Sequence, residues 1–179
     1  MLTKENTALL VIDIQGNLAK AMDEQEMLYK NTRIMIQSAQ ILGLPIIVTE
    51  QLPDKLGPTI PEIAELLPDA APVVKSAFSC CGEPAFMTQL NALTQSQILV
   101  TGIEAHICVY QTTVELIQNG YEANVVTDCI GSRQNANKVA GIDKMKDAGA
   151  KLTASEIAIF ELMKVAQGDA FRQIVRLLK

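Results

Sequence analysis

A chain of 179 residues with 49% apolar and 20% charged residues has the make-up of one soluble globular domain spanning 1–179, with no low-complexity tract. The net charge of −5 and pI near 4.9 argue against a nucleic-acid partner, whose phosphate backbone is normally met by clustered cations. The start, Met1-Leu-Thr-Lys-Glu-Asn, leads into five consecutive apolar residues, too few for a signal peptide or a membrane span, so a cytoplasmic protein with no membrane partner is expected.

Apolar, β-rich runs at 7–13, 44–49, 72–75, 97–101, 122–127 and 151–153 alternate with longer helical patterns. That alternation predicts an α/β fold with six parallel strands and crossover helices. The first helix is expected at 24–42, where Met27, Leu28, Ile34, Met35, Ala39 and Leu42 recur at mostly helical spacing before Gly43 and Pro45 stop it. Residues 50–71 form the longest irregular stretch, broken by Pro53, Gly57, Pro58, Pro61 and Pro68, with a short helix at 62–67. A loop at 76–82 leads into a helix at 83–93, whose Pro84 suits a first turn. Further helices are predicted at 106–119, 135–148, 155–165 and 169–178, with Gly120, Gly149 and Gly168 just past the ends of three of them.

Asp13 closes Ala8-Leu-Leu-Val-Ile-Asp13, Lys75 closes Pro72-Val-Val-Lys75, and Cys108 follows the strand-like run 98–101 at the head of the helical stretch from His106. A thiol on a first helical turn faces unpaired N–H groups and the positive end of the dipole, which favour the thiolate. In a doubly wound sheet of order 3-2-1-4-5-6 the carboxyl ends of strands 1, 3 and 4 share one edge, the usual ligand crevice. There Asp13 could take the thiol proton, while Lys75 would keep Asp13 ionised and favour a thiolate. His106 lies two residues from Cys108, off its helix face, and is the only histidine, so a papain-like pair is not formed locally. Gly102 permits a tight turn, after which the N–H groups of Glu104 and Cys108 could form an oxyanion hole.

Neither G-x-x-x-x-G-K-[ST] nor G-x-G-x-x-G occurs, so no nucleotide cofactor is implied. Cys80, Cys81 and Cys129 read as structural or oxidation-sensitive free thiols, and a single His leaves little for a zinc site.

Four segments in order, Leu10-Val-Ile-Asp-Ile-Gln15, Val74-Lys-Ser-Ala-Phe-Ser79, Val100-Thr-Gly-Ile-Glu-Ala-His-Ile-Cys-Val109 and Val126-Thr-Asp-Cys-Ile-Gly-Ser-Arg133, resemble the isochorismatase-like cysteine hydrolases over nearly the full length. Thr49-Glu-Gln-Leu-Pro53 and Leu56-Gly-Pro-Thr-Ile-Pro-Glu62 resemble the isochorismatase domain-containing subgroup. The resemblance implies a three-layer fold with a six-stranded parallel sheet and an Asp13–Lys75–Cys108 triad. It also implies a cis peptide between Ile103 and Glu104 and a pocket that includes Gln15. Metal-dependent nicotinamidases of this family carry an Asp and several His after strand 2, whereas this chain has Glu50-Gln51 there, so neither a metal nor a cofactor is expected.

The leading expectation is therefore a metal-independent cysteine hydrolase of a small amide, carbamoyl or related C–N substrate, acting through a thioester. Residues 50–60, Gln51 among them, together with Gln15 and Phe78, are the expected specificity surface. The alternatives are a non-catalytic binding or assembly protein, or a thiol redox sensor built on Cys80, Cys81 and Cys108. A homo-oligomer is expected, assembled through the apolar helices near 106–119 and 155–178.

Overall fold

The computed structural model describes residues Met1–Lys179. Six strands, β1 (Thr7–Ile12), β2 (Ile46–Gln51), β3 (Val73–Lys75), β4 (Gln97–Ile103), β5 (Glu122–Gly131) and β6 (Lys151–Thr153), form one sheet of order β3-β2-β1-β4-β5-β6. Every pairing is parallel. This is the expected α/β architecture and order.

Side chains alternate across the pleat, so β1 splits its apolar residues between two cores. Leu9 and Val11 join a cluster with Met35, Ala39, Ile159 and Ile174. That side is covered by α2 (Gln25–Leu42), α8 (Ser155–Met163) and α9 (Gly168–Leu177). Ala8, Leu10 and Ile12 join Phe86, Leu90, Val109, Leu116 and Met145 on the opposite side, covered by α5 (Pro84–Asn91), α6 (Tyr110–Gln118) and α7 (Asn135–Asp147). Helices on both faces explain why all six residues of β1 are buried and why Ala8–Ile12 read as a continuous apolar run.

The irregular stretch after β2 contains two one-turn helices, α3 (Pro53–Leu56) and α4 (Pro61–Ala64), each entered through a proline. It folds back onto α1 (Gly16–Lys20), a short helix absent from the sequence-based expectation. Gly16 N–H donates to Pro58 O at 3.1 Å, and Ile60 N–H donates to Ile14 O at 3.0 Å. Proline at each entry and backbone pairing with 14–16 hold this loop against the end of β1.

Two expectations are corrected. The predicted helix 106–119 begins as a π turn, Ala105–Val109, and becomes α-helical only at Tyr110. Gly168 opens α9 instead of closing α8, which ends at Met163 with Lys164 at φ 61°. No helix is long and apolar enough to cross a membrane.

Candidate active site

Asp13 directly follows β1, Lys75 is the last residue of β3, and Cys108 lies in the π turn after β4. Parallel strands put these three carboxyl ends on one edge. Two glycines let the backbone close up there. Gly102 takes φ 122° inside β4, where a Cβ would sit 2.1 Å from Ile12 O, and a Cβ on Gly141 of α7 would sit 2.9 Å from Ala105 O at the start of the π turn.

Lys75 is 1% exposed. Its Nζ lies 2.7 Å from Asp13 Oδ2 and donates to Gln51 Oε1 at 2.6 Å and to the carbonyls of Phe78 and Ala77 at 3.0 and 3.2 Å. A buried ammonium is tolerable only with such compensation. The other carboxylate oxygen of Asp13, Oδ1, accepts from Thr49 Oγ1 at 2.7 Å, and Cys80 Sγ sits 3.8 Å behind that hydroxyl. Asp13 itself takes φ 52°, a left-handed conformation that Asp adopts more readily than most residues. Thr49 went unnoticed in the sequence. The signal was available: Thr49 and Gln51 alternate on β2 with Glu50, so they share a face. Glu50 points the other way, where its carboxylate accepts from Thr59 N–H and Oγ1, each at 2.7 Å.

A cavity of about 90 Å³ opens at this edge, lined by Asp13, Leu18, Gln51, Leu56, Phe78, Ile103, Glu104, Ile107 and Cys108. Of the three residues expected in the pocket, Gln51 and Phe78 line this cavity. Gln15 does not. It is fully buried behind the wall, its Nε2 donating to Gly57 O at 2.6 Å and Gln51 O at 3.2 Å while its Oε1 accepts from Gln51 N–H at 2.6 Å. With donors and acceptor all used on backbone, Gln15 fastens the 50–60 loop to β1.

The thiolate expectation is also corrected. Burial pushes the Cys108 thiol up to about 12; the Asp13 carboxylate adds to the rise and Lys75 offsets part of it. Desolvation and a facing carboxylate outweigh the local dipole, so the resting sulfur carries its proton. Asp13→Asn removes the opposing charge and keeps the shape. The pH profile of Cys108 alkylation, followed by peptide mass spectrometry, is expected to move down by about one unit or more in that variant; an unmoved profile would remove Asp13 as a determinant of the thiol.

The peptide between Ile103 and Glu104 is cis. In the loops, turns and caps, the Glu104 carbonyl accepts from Ile107 and Val109 N–H, and no bond is donated by the Glu104 N–H. The Glu104 carboxylate is nearly buried. Its Oε1 accepts from Arg133 Nε at 2.7 Å and Arg133 N–H at 3.3 Å, while His106 Nδ1 pairs with Ser132 Oγ at 3.0 Å.

The remaining thiols are displaced in the same direction. Burial raises Cys80 to about 11 and Cys129 well above its ordinary value. A thiol whose folded pKa exceeds its unfolded one contributes stability in full below the unfolded value and loses it as pH climbs toward the folded value. Unfolding free energy is expected to fall above roughly pH 8.5 by about 1.4 kcal/mol per pH unit for each such thiol. Urea titrations at pH 8 and 10 check this; equal midpoints would contradict it.

An isochorismatase domain model matches residues 7–157. Isochorismatase domain-containing protein 2A of Mus musculus is 31% identical over 176 residues, covering 98% of this chain and 84% of the relative. Among solved structures, the MAR1 ribonuclease of Caenorhabditis elegans superposes with a TM-score of 0.92 at 34% identity, covering 99% of this chain and 91% of that one. YcaC of Pseudomonas aeruginosa, solved with hexane-2,5-diol and covalent acrylamide, superposes with a TM-score of 0.93 at 25% identity, covering 98% and 90%.

Proposed function

This chain belongs to the isochorismatase family of hydrolases, and from that premise we propose that it is a metal-independent cysteine hydrolase cleaving the C–N bond of a small amide or carbamoyl compound. The observation that carries the reading is that Cys108 and Asp13 line one cavity with otherwise mostly apolar walls, with the enclosed Lys75 paired to Asp13 behind it. A cavity that reaches the sulfur favours an enzyme over a scaffold, in which bulky side chains would fill the space.

The thiol proton passes to Asp13 as Cys108 Sγ bonds to the substrate carbonyl carbon. The oxygen that becomes negative is met by the N–H groups of Glu104 and Cys108. Asp13 returns the proton to nitrogen, the C–N bond breaks and ammonia or an amine leaves. Water then attacks the thioester, the C–S bond breaks, and the acid is released with the proton back on sulfur. Lys75 stays paired with Asp13 beside the reacting sulfur. Because the resting sulfur is a thiol, proton transfer belongs to the attack itself, and the reading requires no standing thiolate. No part is assigned to a metal: the carboxylate nearest the nicotinamidase position, Glu50, faces away and is held by Thr59.

YcaC is described with covalent acrylamide, which supports a small neutral compound as the kind of molecule this fold admits. The nematode relative is described as a ribonuclease. For this chain a net charge of −5 and a small cavity with mostly apolar walls favour a small molecule over a polyanion. Self-assembly is supported by exposed apolar residues Ile157 and Phe160 on α8 and Leu152 on β6.

The reading is tested by incubating the protein with short primary amides, quenching in acid and mapping adducts by mass spectrometry while following ammonia. An acyl group on Cys108 with ammonia release is the expected result. If no amide in the series gives either, the reading is abandoned.

A further inference from the structure

Resting on the hydrolase reading, we propose that Thr49 is a positioning residue for that reaction: its hydroxyl ties down Oδ1 of Asp13, which leaves Oδ2 as the oxygen that takes the Cys108 proton.

The count of hydrogens at the ion pair is the first argument. An ammonium has three N–H groups, and those of Lys75 are matched by three acceptors, Gln51 Oε1 at 2.6 Å and the carbonyls of Phe78 and Ala77 at 3.0 and 3.2 Å. Lys75 therefore gives Asp13 its charge, at 2.7 Å from Oδ2, without a hydrogen to spare for it. Oδ2 is buried and accepts no hydrogen bond. Oδ1, by contrast, is held by Thr49 Oγ1 at 2.7 Å, a length typical of a charge-assisted bond. The carboxylate is thus asymmetric, with one oxygen anchored and the other bare. A buried acceptor without a donor is costly, and the thiol of Cys108, which lines the same cavity as Asp13, is the donor that can relieve it.

The placement of Thr49 is the second argument. Strand β2 lies between β1 and β3, so Asp13 and Lys75 reach each other across it. Thr49 and Gln51 share a face of β2, and each takes one member of the pair. The Thr49 carbonyl also accepts the Asp13 N–H at 3.2 Å, so backbone and side chain are held by one residue. A hydroxyl has a single proton and an ionised carboxylate can only accept. That proton therefore goes to Oδ1, and in the 3.8 Å contact with Cys80 Sγ the sulfur is the donor. The ionisable groups around Asp13 are then Lys75 of β3, Cys108 of the π turn and Cys80 of the turn Cys80–Gly82, while the Glu104 carboxylate is taken up by Arg133. A donor on the charged form of a carboxylate favours that form, so removing it raises the pH at which the base is lost.

Ammonia release from acetamide, propionamide and butyramide is followed across pH in the full-length wild type, Thr49→Val and Thr49→Ser. Valine keeps the shape without the hydroxyl, and serine keeps the hydroxyl. The acid limb of kcat/KM, which reports the base of the free enzyme, is expected to move up by about one pH unit in Thr49→Val and to stay in place in Thr49→Ser. On the limb that is a loss of about ten-fold. A threonine that only filled space would change the rate equally at every pH. Should valine crowd the carboxylate and fold poorly, Thr49→Ala is expected to give the same shift. A limb that moves in neither variant lacking the hydroxyl, one that moves as far in Thr49→Ser, or no limb above the pH of acid unfolding overturns the role of Thr49. Those results leave the hydrolase reading standing, since amide turnover continues. Absence of ammonia release and of an acyl group on Cys108 in the wild type, with every amide, would instead remove the hydrolase reading, and the positioning role with it.

Discussion

Cys108→Ala is expected to lower kcat on any amide that the wild-type protein turns over by about 10,000-fold or more, because it removes the atom that forms the thioester. The structural cost is small. One buried sulfur is lost, and truncation on that scale leaves a minor void costing about 1 kcal/mol, so circular dichroism and thermal midpoint should stay near wild type. Residual activity within ten-fold of wild type, in protein shown by mass spectrometry to be free of wild-type contamination, would rule out the covalent route. Asp13→Asn should be comparably inactive even while its thiol ionises at lower pH. A better nucleophile that does not turn over would separate the task of ionising sulfur from that of returning a proton to the leaving nitrogen.

Lys75→Met carries the largest expected effect on stability. The substitution fills similar volume and leaves the Asp13 carboxylate buried without its ammonium, and breaking a buried pair from one side costs about 3–5 kcal/mol. In a chain of 179 residues that corresponds to a Tm lower by on the order of 10 °C. The double variant Asp13→Asn with Lys75→Met should recover most of the loss, since removing both charges removes the penalty as well as the attraction. Thermal denaturation of the wild type and the three variants measures this coupling. A single variant within about 2 °C of wild type would mean that water reaches the pair and the site is wetter than its burial indicates. Activity should not return with stability in the double variant, because neither proton transfer nor charge compensation is restored.

Much of the frame was legible along the chain. Short apolar runs alternating with helical spacing pointed to a parallel sheet covered on both faces, and residues at strand ends, Asp13 and Lys75, stood out as polar groups in apolar surroundings. The Asp, Lys and Cys segments that resemble the family do lie at one sheet edge. Thr49 and the Glu104 carboxylate were overlooked because each lies inside or directly after an apolar strand, where its own neighbours in sequence give no sign of what it faces. Gln15 was misassigned for the same reason: being next to a site residue along the chain says nothing about which side of the backbone a side chain takes. The π turn at Ala105–Val109 was read as plain helix, since its composition differs little from that of a helical first turn.

The sequence by itself determined the class of fold and the ends of most elements, because periodicity, proline placement and glycine stops are local properties that the backbone obeys wherever it sits. Tertiary structure alone decided the chemistry of the thiol. The dipole argument for a thiolate used only residues next to Cys108, whereas burial and the Asp13 carboxylate act through space and raise it to about 12. Tertiary structure decided likewise that Lys75 is fully enclosed and that the cavity has no unengaged lysine or arginine along its wall. Desolvation and Coulomb interaction depend on distance and on excluded water, and segments far apart along the chain set both only when they pack.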